Sequence, residues 1–484
     1  MLTYNLNNRG DIPIYEYLYR CIRDDIRSGR LATGTKLPSK RELAADNGVA
    51  LITVENAYAQ LIVEGYVEAR QRYGYFVEDV SQIESVDQIE SIRQREGIRQ
   101  IESVDQTESI RQTESICNVD GAGRNDLEME AERNLVKTGS GASNPIDFSF
   151  PYSTWAKLMR RVLTDRERDF AVSPASEGVY ELRKAIADYL YDSKNLRVNP
   201  DCIVVGPGTE YLHSIIIQLI GRNRLAAVED PGYKKASQIY ESNGMKVMHI
   251  PVDNEGIDVS KLEGSGIKLV HTSPAHHFPT GIVMSAARRH KLLNWARGQQ
   301  AYIIEDDYDS EFRFKGLPLP TLMSLENEHV IYMNTFTGTL AASIRIAYMV
   351  LPDKLMAVYR DRLGFLSGTV SSFEQLTLAA FISEGYYERH ISRMRNKYRK
   401  IRQKYREAFG QSELSKIAEI EEDPAGLNLI IVIKEQTKVI EDRKAGIPMT
   451  DYCYYKSANY SNKYIMRYRD IDEKQIRELF DSML

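Results

Sequence analysis

The sequence predicts a multidomain protein in which a small α+β head precedes a large α/β domain that closes with a small α+β part. Three observations carry that prediction. Residues 11–78 run through short helical periodicities with glycine stops and finish in a strand pair. Residues 79–144 are polar and repetitive, and residues 145–484 alternate helical patterns with short apolar runs, as a layered α/β sheet requires. A chain of 484 residues has length for two or three domains, one of them with a large buried core.

In the head, Ile14, Leu18, Ile22 and Ile26 recur at helical spacing with Cys21 on the same face, and the turns at Gly29 and Gly34 end that helix. Ser39-Lys40-Arg41-Glu42 is a capping-box pattern that opens a second helix, closed by Asn47-Gly48. Val54, Ala57, Tyr58 and Leu61 mark a third helix stopped by Gly65. Tyr66–Arg70 and Tyr75–Val77 flank Gln71-Arg72-Tyr73-Gly74, which reads as a hairpin. Helix, helix, turn, helix, hairpin is the order of a winged helix-turn-helix.

From Gln82 to Cys117 the chain consists of six hexapeptides of the type Gln-Ile-Glu-Ser-Val-Asp. Their apolar residues recur mostly at every third position, which matches neither the helical nor the strand period. Alternating charge without aromatics suits a disordered or transiently helical tether. A hexapeptide β-helix is the competing reading, but it needs small corner residues that these repeats poorly supply.

The third region offers strands at Cys202–Val205, Leu225–Val228, Ile267–Val270 and Ala301–Ile304, each followed by a polar or glycine-rich turn. Helices are expected at Leu355–Leu366 and Tyr386–Phe409, leading into the α+β end piece from about Ser412.

Composition bounds the function classes. A net charge of −5 leaves no global attraction to nucleic acid, so a basic surface has to be local. Cys21, Cys117, Cys202 and Cys453 are far apart in sequence, which argues against a disulfide framework or a zinc site and for a reducing, cytoplasmic setting. The first eight residues have neither a basic nor an apolar leader region, and no apolar run reaches membrane-spanning length. His276 and His277 are adjacent on a loop with no third ligand in view, so no metal is expected there.

The head resembles the GntR family of winged-helix regulators. The resemblance lies in Ile26–Leu31, in Gly34-Thr-Lys-Leu-Pro-Ser-Lys-Arg-Glu-Leu-Ala44, in Thr53–Tyr58 and in Gly74-Tyr-Phe-Val77. It implies binding to a double-stranded DNA operator. Lys36, Ser39, Lys40 and Arg41 gather at the start of the second helix, where cations and amides favour phosphate. Leu51 and Thr53 lie at the groove-entering end of the third helix, and Arg72, Tyr73 and Gly74 on the wing. Many relatives carry Ser-Arg where this chain has Ala50-Leu51, an exchange that removes a guanine-reading arginine worth about 1–3 kcal/mol of discrimination. A winged helix used for protein contacts is the alternative.

The third region resembles the MocR subfamily, which joins a GntR head to a fold-type I pyridoxal phosphate (PLP) transferase-like domain. Glu229-Asp-Pro-Gly-Tyr233, Ser273-Pro-Ala-His-His-Phe-Pro-Thr-Gly281 and Ile304-Glu-Asp-Asp-Tyr-Asp-Ser-Glu-Phe312 carry the likeness. By that resemblance Asp306 pairs with the pyridine nitrogen, Tyr308 with the ring oxygen, and Tyr233 stacks on the ring. Gly208, Thr209, Thr335, Thr337 and Arg345 cradle the phosphate. Taken singly, Asp306 also reads as a helix cap, and Tyr308 and Tyr233 as core-edge aromatics.

The departures cluster where chemistry occurs in the family. In Asn334-Thr-Phe-Thr-Gly-Thr-Leu-Ala-Ala-Ser-Ile-Arg345, Gly338 stands where the Schiff-base lysine is expected. A glycine offers no amine for covalent attachment. Ala342 and Ala347 replace an expected proline and glycine, Asn428 a histidine, and Ile465 the arginine that clamps a carboxylate, with Arg467 two residues on. The segment Asp147–Tyr152 is shorter than in relatives. No catalytic residue is therefore assigned. The expectation is a homodimeric regulator whose aminotransferase-like domain senses a small effector, a PLP vitamer or an amino compound, with any PLP held non-covalently. A PLP-dependent aminotransferase with a vestigial DNA-binding head is the alternative, and a decaying gene product is a third reading.

Overall fold

The computed structural model describes residues 2–4, 14–63, 66–70, 73–77, 150–313, 320–421, 427–434, 447–454 and 460–467. The repeat region at 79–144, the wing residue Arg72 and residues 147–149 of the segment expected to be short lie outside these residues.

The head is a three-helix unit with a wing: α1 (Ile14–Arg27), β1 (Lys36–Leu37), α2 (Lys40–Asp46), α3 (Leu51–Val63), β2 (Val67–Arg70) and β3 (Gly74–Val77). The helical spacing read from sequence selects its core, since Leu18, Ile22, Val54, Ala57, Tyr58 and Leu61 are fully buried. The capping box forms as expected: Glu42 N donates to Ser39 Oγ at 3.2 Å, and Ser39 N donates to Glu42 Oε2 at 2.8 Å. Ser39→Ala is expected to cost about 1 kcal/mol of local stability, read as faster amide exchange in the first turn of α2. Strand β1, absent from the sequence reading, pairs antiparallel with β3 and makes the wing a three-stranded sheet in the order β1-β3-β2. Asn47 does more than end α2. Its amide holds the chain terminus, accepting from Tyr4 N at 2.7 Å and donating to Leu2 O at 2.9 Å.

The large domain begins with α4 (Tyr152–Asp165) and α5 (Tyr180–Lys194), followed by β4 (Ile203–Gly206), α6 (Thr209–Ile220), β5 (Leu225–Asp230) and α7 (Lys234–Ser242). Next come β6 (Lys246–Asp253), β7 (Gly256–Ile257), β8 (Ile267–Thr272), α8 (Ala286–Gln299), β9 (Tyr302–Asp306), α9 (Leu322–Leu325), β10 (Val330–Thr335) and β11 (Ala347–Val350). Helices α10 (Asp353–Leu363), α11 (Ser372–Ser383) and α12 (Tyr386–Gln411) precede the end piece, which holds β12 (Ala418–Glu421), β13 (Asn428–Ile433), β14 (Ile447–Pro448) and β15 (Lys463–Arg467).

The main sheet has the order β4-β11-β10-β9-β8-β5-β6-β7. Strands β10, β9, β8, β5 and β6 are parallel, and β11 runs antiparallel to both β10 and β4. Strand β4 therefore points the same way as β10, so the carboxyl ends of β4, β5, β8, β9 and β10 share one edge with the start of β11. Near-continuous burial of Ile203–Val205, Ala226–Val228, Leu269–Val270, Ile303–Ile304 and Val330–Met333 matches a sheet covered on both faces. The end piece forms its own antiparallel sheet, β12-β13-β15-β14.

Candidate functional site

The edge where the carboxyl ends meet is where an open α/β sheet binds ligands. It brings together every residue proposed for cofactor contact. Gly208 and Thr209 follow β4, Tyr233 follows β5, Asp306 ends β9 and Tyr308 lies just past it. Thr335 ends β10, Thr337 follows, and Arg345 immediately precedes β11. The register sets Gly206, Ala347 and Thr335 in one row across three strands.

The run Glu305-Asp306-Asp307 is sorted by strand alternation. Asp306 shares a face with His271, whose Nε2 lies 3.3 Å from Asp306 Oδ2. A carboxylate offers only acceptors, so the imidazole supplies this proton. Behind His271 stands His213, ring centroids 5.2 Å apart, and Tyr240 Oη is 3.1 Å from His213 Nδ1. Burial, aided by the field of His271, pushes His213 well below the usual histidine range and keeps it neutral. Glu305 and Asp307 turn to the opposite face. Glu305 accepts from the backbone amides of Leu322 and Met323, and Asp307 pairs with Lys194 and accepts from Tyr332 Oη.

At the far end of the row, Arg345 Nη2 donates to Glu210 Oε2 at 2.9 Å, and Lys235 pairs with Glu210 Oε1. Thr337 N donates to Thr335 Oγ1 at 3.2 Å, and Thr337 Oγ1 to Ile344 O at 3.0 Å, which holds the loop carrying Gly338 closed on itself. Tyr233, about half exposed, follows β5 at the same edge. Its phenol is pushed up to about 12, first by burial and then by the fields of Glu210 and Asp306, with Arg467 opposing.

The end piece closes over the same place. Gly232 N donates to Tyr452 O at 3.0 Å and Tyr454 N to Asp230 Oδ1 at 2.9 Å, fixing the segment before β15 to the loop after β5. Arg467 Nη2 donates to Tyr452 Oη at 3.0 Å, and Phe278 meets the rings of Tyr452, Tyr233 and Tyr308 edge-on. Ile465 instead packs with Ile430 and Met449 in a separate apolar cluster. His277 is engaged by Thr280 Oγ1 at 2.7 Å and Glu229 Oε2 at 3.5 Å, and burial lowers its pKa. Among the described residues no group of three or more His, Cys, Asp and Glu is placed to hold a metal.

In the head, Lys36, Arg41, Leu51 and Tyr73 are exposed, whereas Thr53 is half-buried. Lys40 ties three elements together: its ammonium is 3.6 Å from Glu55 of α3 and lies over the ring of Tyr75 on the wing. Gly74 has φ +114°, and a side chain there would begin 3.1 Å from Lys36 Cε, so the wing packs directly on the start of the basic segment.

Residues 14–77 match the bacterial regulatory proteins of the gntR family, and residues 142–454 match aminotransferase class I and II. The chain is 36% identical to the uncharacterized HTH-type transcriptional regulator YdeL of Bacillus subtilis, over 89% of this chain and 86% of that one. It is 30% identical to the probable rhizopine catabolism regulatory protein MocR of Rhizobium meliloti, over 99% and 94% of the two chains. The chain belongs to the MocR-type GntR-family transcriptional regulators. The pyridoxine biosynthesis regulator PdxR of Corynebacterium glutamicum is 25% identical over 94% of this chain and 91% of its own. The fold of the large domain is also that of the multiple substrate aminotransferase from Thermococcus profundus, with a TM-score of 0.60 at 24% identity over 70% of this chain and 88% of that one.

This MocR-type regulator thus couples a DNA-binding head to an aminotransferase fold of the PLP-binding family, and among the described residues no helix is long and apolar enough to cross a membrane. Several residues at this edge escaped the sequence reading: Glu210, Lys235, His271, His213 and Tyr452, the partner of Arg467. His271 carried a usable signal, a polar residue inside the apolar run Leu269-Val-His-Thr272. The others acquire meaning only from partners distant in sequence.

Proposed function

We propose that this regulator reads its operator with the exposed basic segment and α3, and that its aminotransferase-like domain is a non-catalytic sensor holding a PLP vitamer without a covalent bond. The observation that carries the reading is the sheet edge itself. An anion cradle stands at one end and the Asp306–His271 couple at the other, and Tyr233 follows β5 along the same edge. These residues fit the group: Arg345 and Lys235 already enclose a carboxylate where a phosphate would go.

Asp306 would take the protonated ring nitrogen, Tyr308 the ring oxygen, Tyr233 the ring face, and Gly208, Thr209, Thr335, Thr337 and Arg345 the phosphate. PLP when bound supplies an electron sink for amine chemistry, and using it requires an amine-bearing side chain beside the ring. Gly338 supplies none. Lys194 does not replace it. Burial works to lower its pKa, but Asp307 and Glu311 outweigh this and raise it, so the ammonium stays protonated in its ion pair. Arg467, steadied by Tyr452, is the cation nearest to the role of the carboxylate clamp.

We place the protein in the cytoplasm as a homodimer, with residues 11–78 as head, 79–144 as tether and 145–484 as effector and dimerisation domain. The test is fluorescence anisotropy of the full-length protein on its own upstream DNA at fixed salt, titrated with PLP and with pyridoxamine phosphate. The expected result is specific binding that shifts saturably with a vitamer at micromolar concentration, about −8.2 kcal/mol. Specific binding indifferent to both vitamers would sink the sensor. A borohydride-trapped PLP adduct would sink the non-covalent reading.

A further inference from the structure

We propose that Glu210 is a built-in occupant of the phosphate cradle, a carboxylate that the phosphate of an incoming ligand must displace. The inference rests on the reading of this edge as a phosphate site. An acidic residue in the first turn of a helix is by itself ordinary, because the helix dipole favours it. What sets Glu210 apart is its partners. Arg345 arrives from 135 positions along the chain and donates to Oε2, while Lys235, from the first turn of α7, takes Oε1. A guanidinium, an ammonium and the amino end of α6 are the donors a phosphate monoester would take.

The position of this anion is also marked by Gly208. Its φ is +124°, and a side chain built there would begin 2.6 Å from Arg345 Nη2 and 2.9 Å from Glu210 Oε2. The carboxylate and guanidinium therefore lie directly over the glycine turn at the start of α6. A second anion cannot enter the same donor set without moving the first, because like charges at contact distance repel. The gate opens readily. The Glu210 and Arg345 side chains are 35% and 51% exposed, so the pair is partly solvated and such bridges are weak. A swing of Glu210 toward solvent releases Arg345 and Lys235 together. The device makes the site selective for a ligand whose phosphate outcompetes a tethered carboxylate.

The test uses full-length protein and compares wild type with Glu210→Gln, which keeps the shape and removes the charge. Three probes are titrated by calorimetry: PLP, pyridoxal without its phosphate, and inorganic phosphate. The expected result is that the variant binds PLP and inorganic phosphate about tenfold more tightly, while pyridoxal is unchanged. PLP affinity equal to or below that of wild type overturns the gate and leaves the PLP reading standing. Tighter inorganic phosphate with no PLP binding to either protein keeps the gate and overturns the PLP reading. Absence of binding by all three probes overturns both. Glu210→Ala serves as a second variant with the same expected direction, and unchanged thermal unfolding certifies that each variant is folded.

Discussion

Truncating Asp306 to alanine should weaken PLP binding about a hundredfold, while leaving operator binding without the vitamer unchanged. A protonated pyridine nitrogen buried against a carboxylate loses both charge and hydrogen bond when the carboxylate is removed, and such truncations cost about 2–5 kcal/mol. The site is prepared for that contact. Asp306 ends a strand whose neighbours are buried, and His271 Nε2 holds Oδ2 from the side at 3.3 Å. Asp306→Asn should fall between the two, since the amide keeps an acceptor but loses the charge. Absorbance and fluorescence titration of purified protein measure the affinities. An alanine variant that binds PLP as wild type does would show that the ring nitrogen is not at Asp306.

The second large effect concerns stability. Lys194→Met should lower the unfolding free energy of the large domain by about 3–5 kcal/mol, because it leaves Asp307 as a buried charge without its counterion. Lys194 reaches from the end of α5 to Asp307 and to Ser310 Oγ, and Tyr332 Oη donates to the same carboxylate. Glu311 stands close by, pushed up to about 7 by burial despite the nearby lysine. Adding Asp307→Asn to Lys194→Met should restore much of the loss, since a buried pair replaced as a unit is often close to neutral. Urea denaturation followed by near-ultraviolet circular dichroism reads both. A single-variant cost under about 1 kcal/mol would show that the network relaxes around the missing ammonium.

Much of this architecture is written in short stretches of chain. The capping box at Ser39 and Glu42, the apolar faces of α1 and α3, the wing hairpin and the buried strands all depend on residues within a few positions of one another. Periodicity and turn sterics reveal them without any tertiary contact. The family motifs Glu229–Tyr233 and Ile304–Phe312 are equally local, and each spans the carboxyl end of a strand at the same sheet edge.

What the sequence by itself determined is therefore the order of the domains, the helices and hairpin of the head, four core strands and two helices of the large domain, and the identity of residues gathered at the sheet edge, Gly208, Tyr233, Asp306 and Arg345 among them. Only the tertiary structure decided which of them meet. Asn47 reads as a helix stop but also holds Leu2 and Tyr4. Lys194 is separated from Asp307 by 113 positions and Glu210 from Arg345 by 135. The physical reason is that an ion pair or hydrogen bond depends on distance and solvent exclusion, and both are set by strand register and strand order. A one-residue shift of β9 would turn Asp306 to the opposite face, away from His271 and toward the side where Lys194 pairs with Asp307.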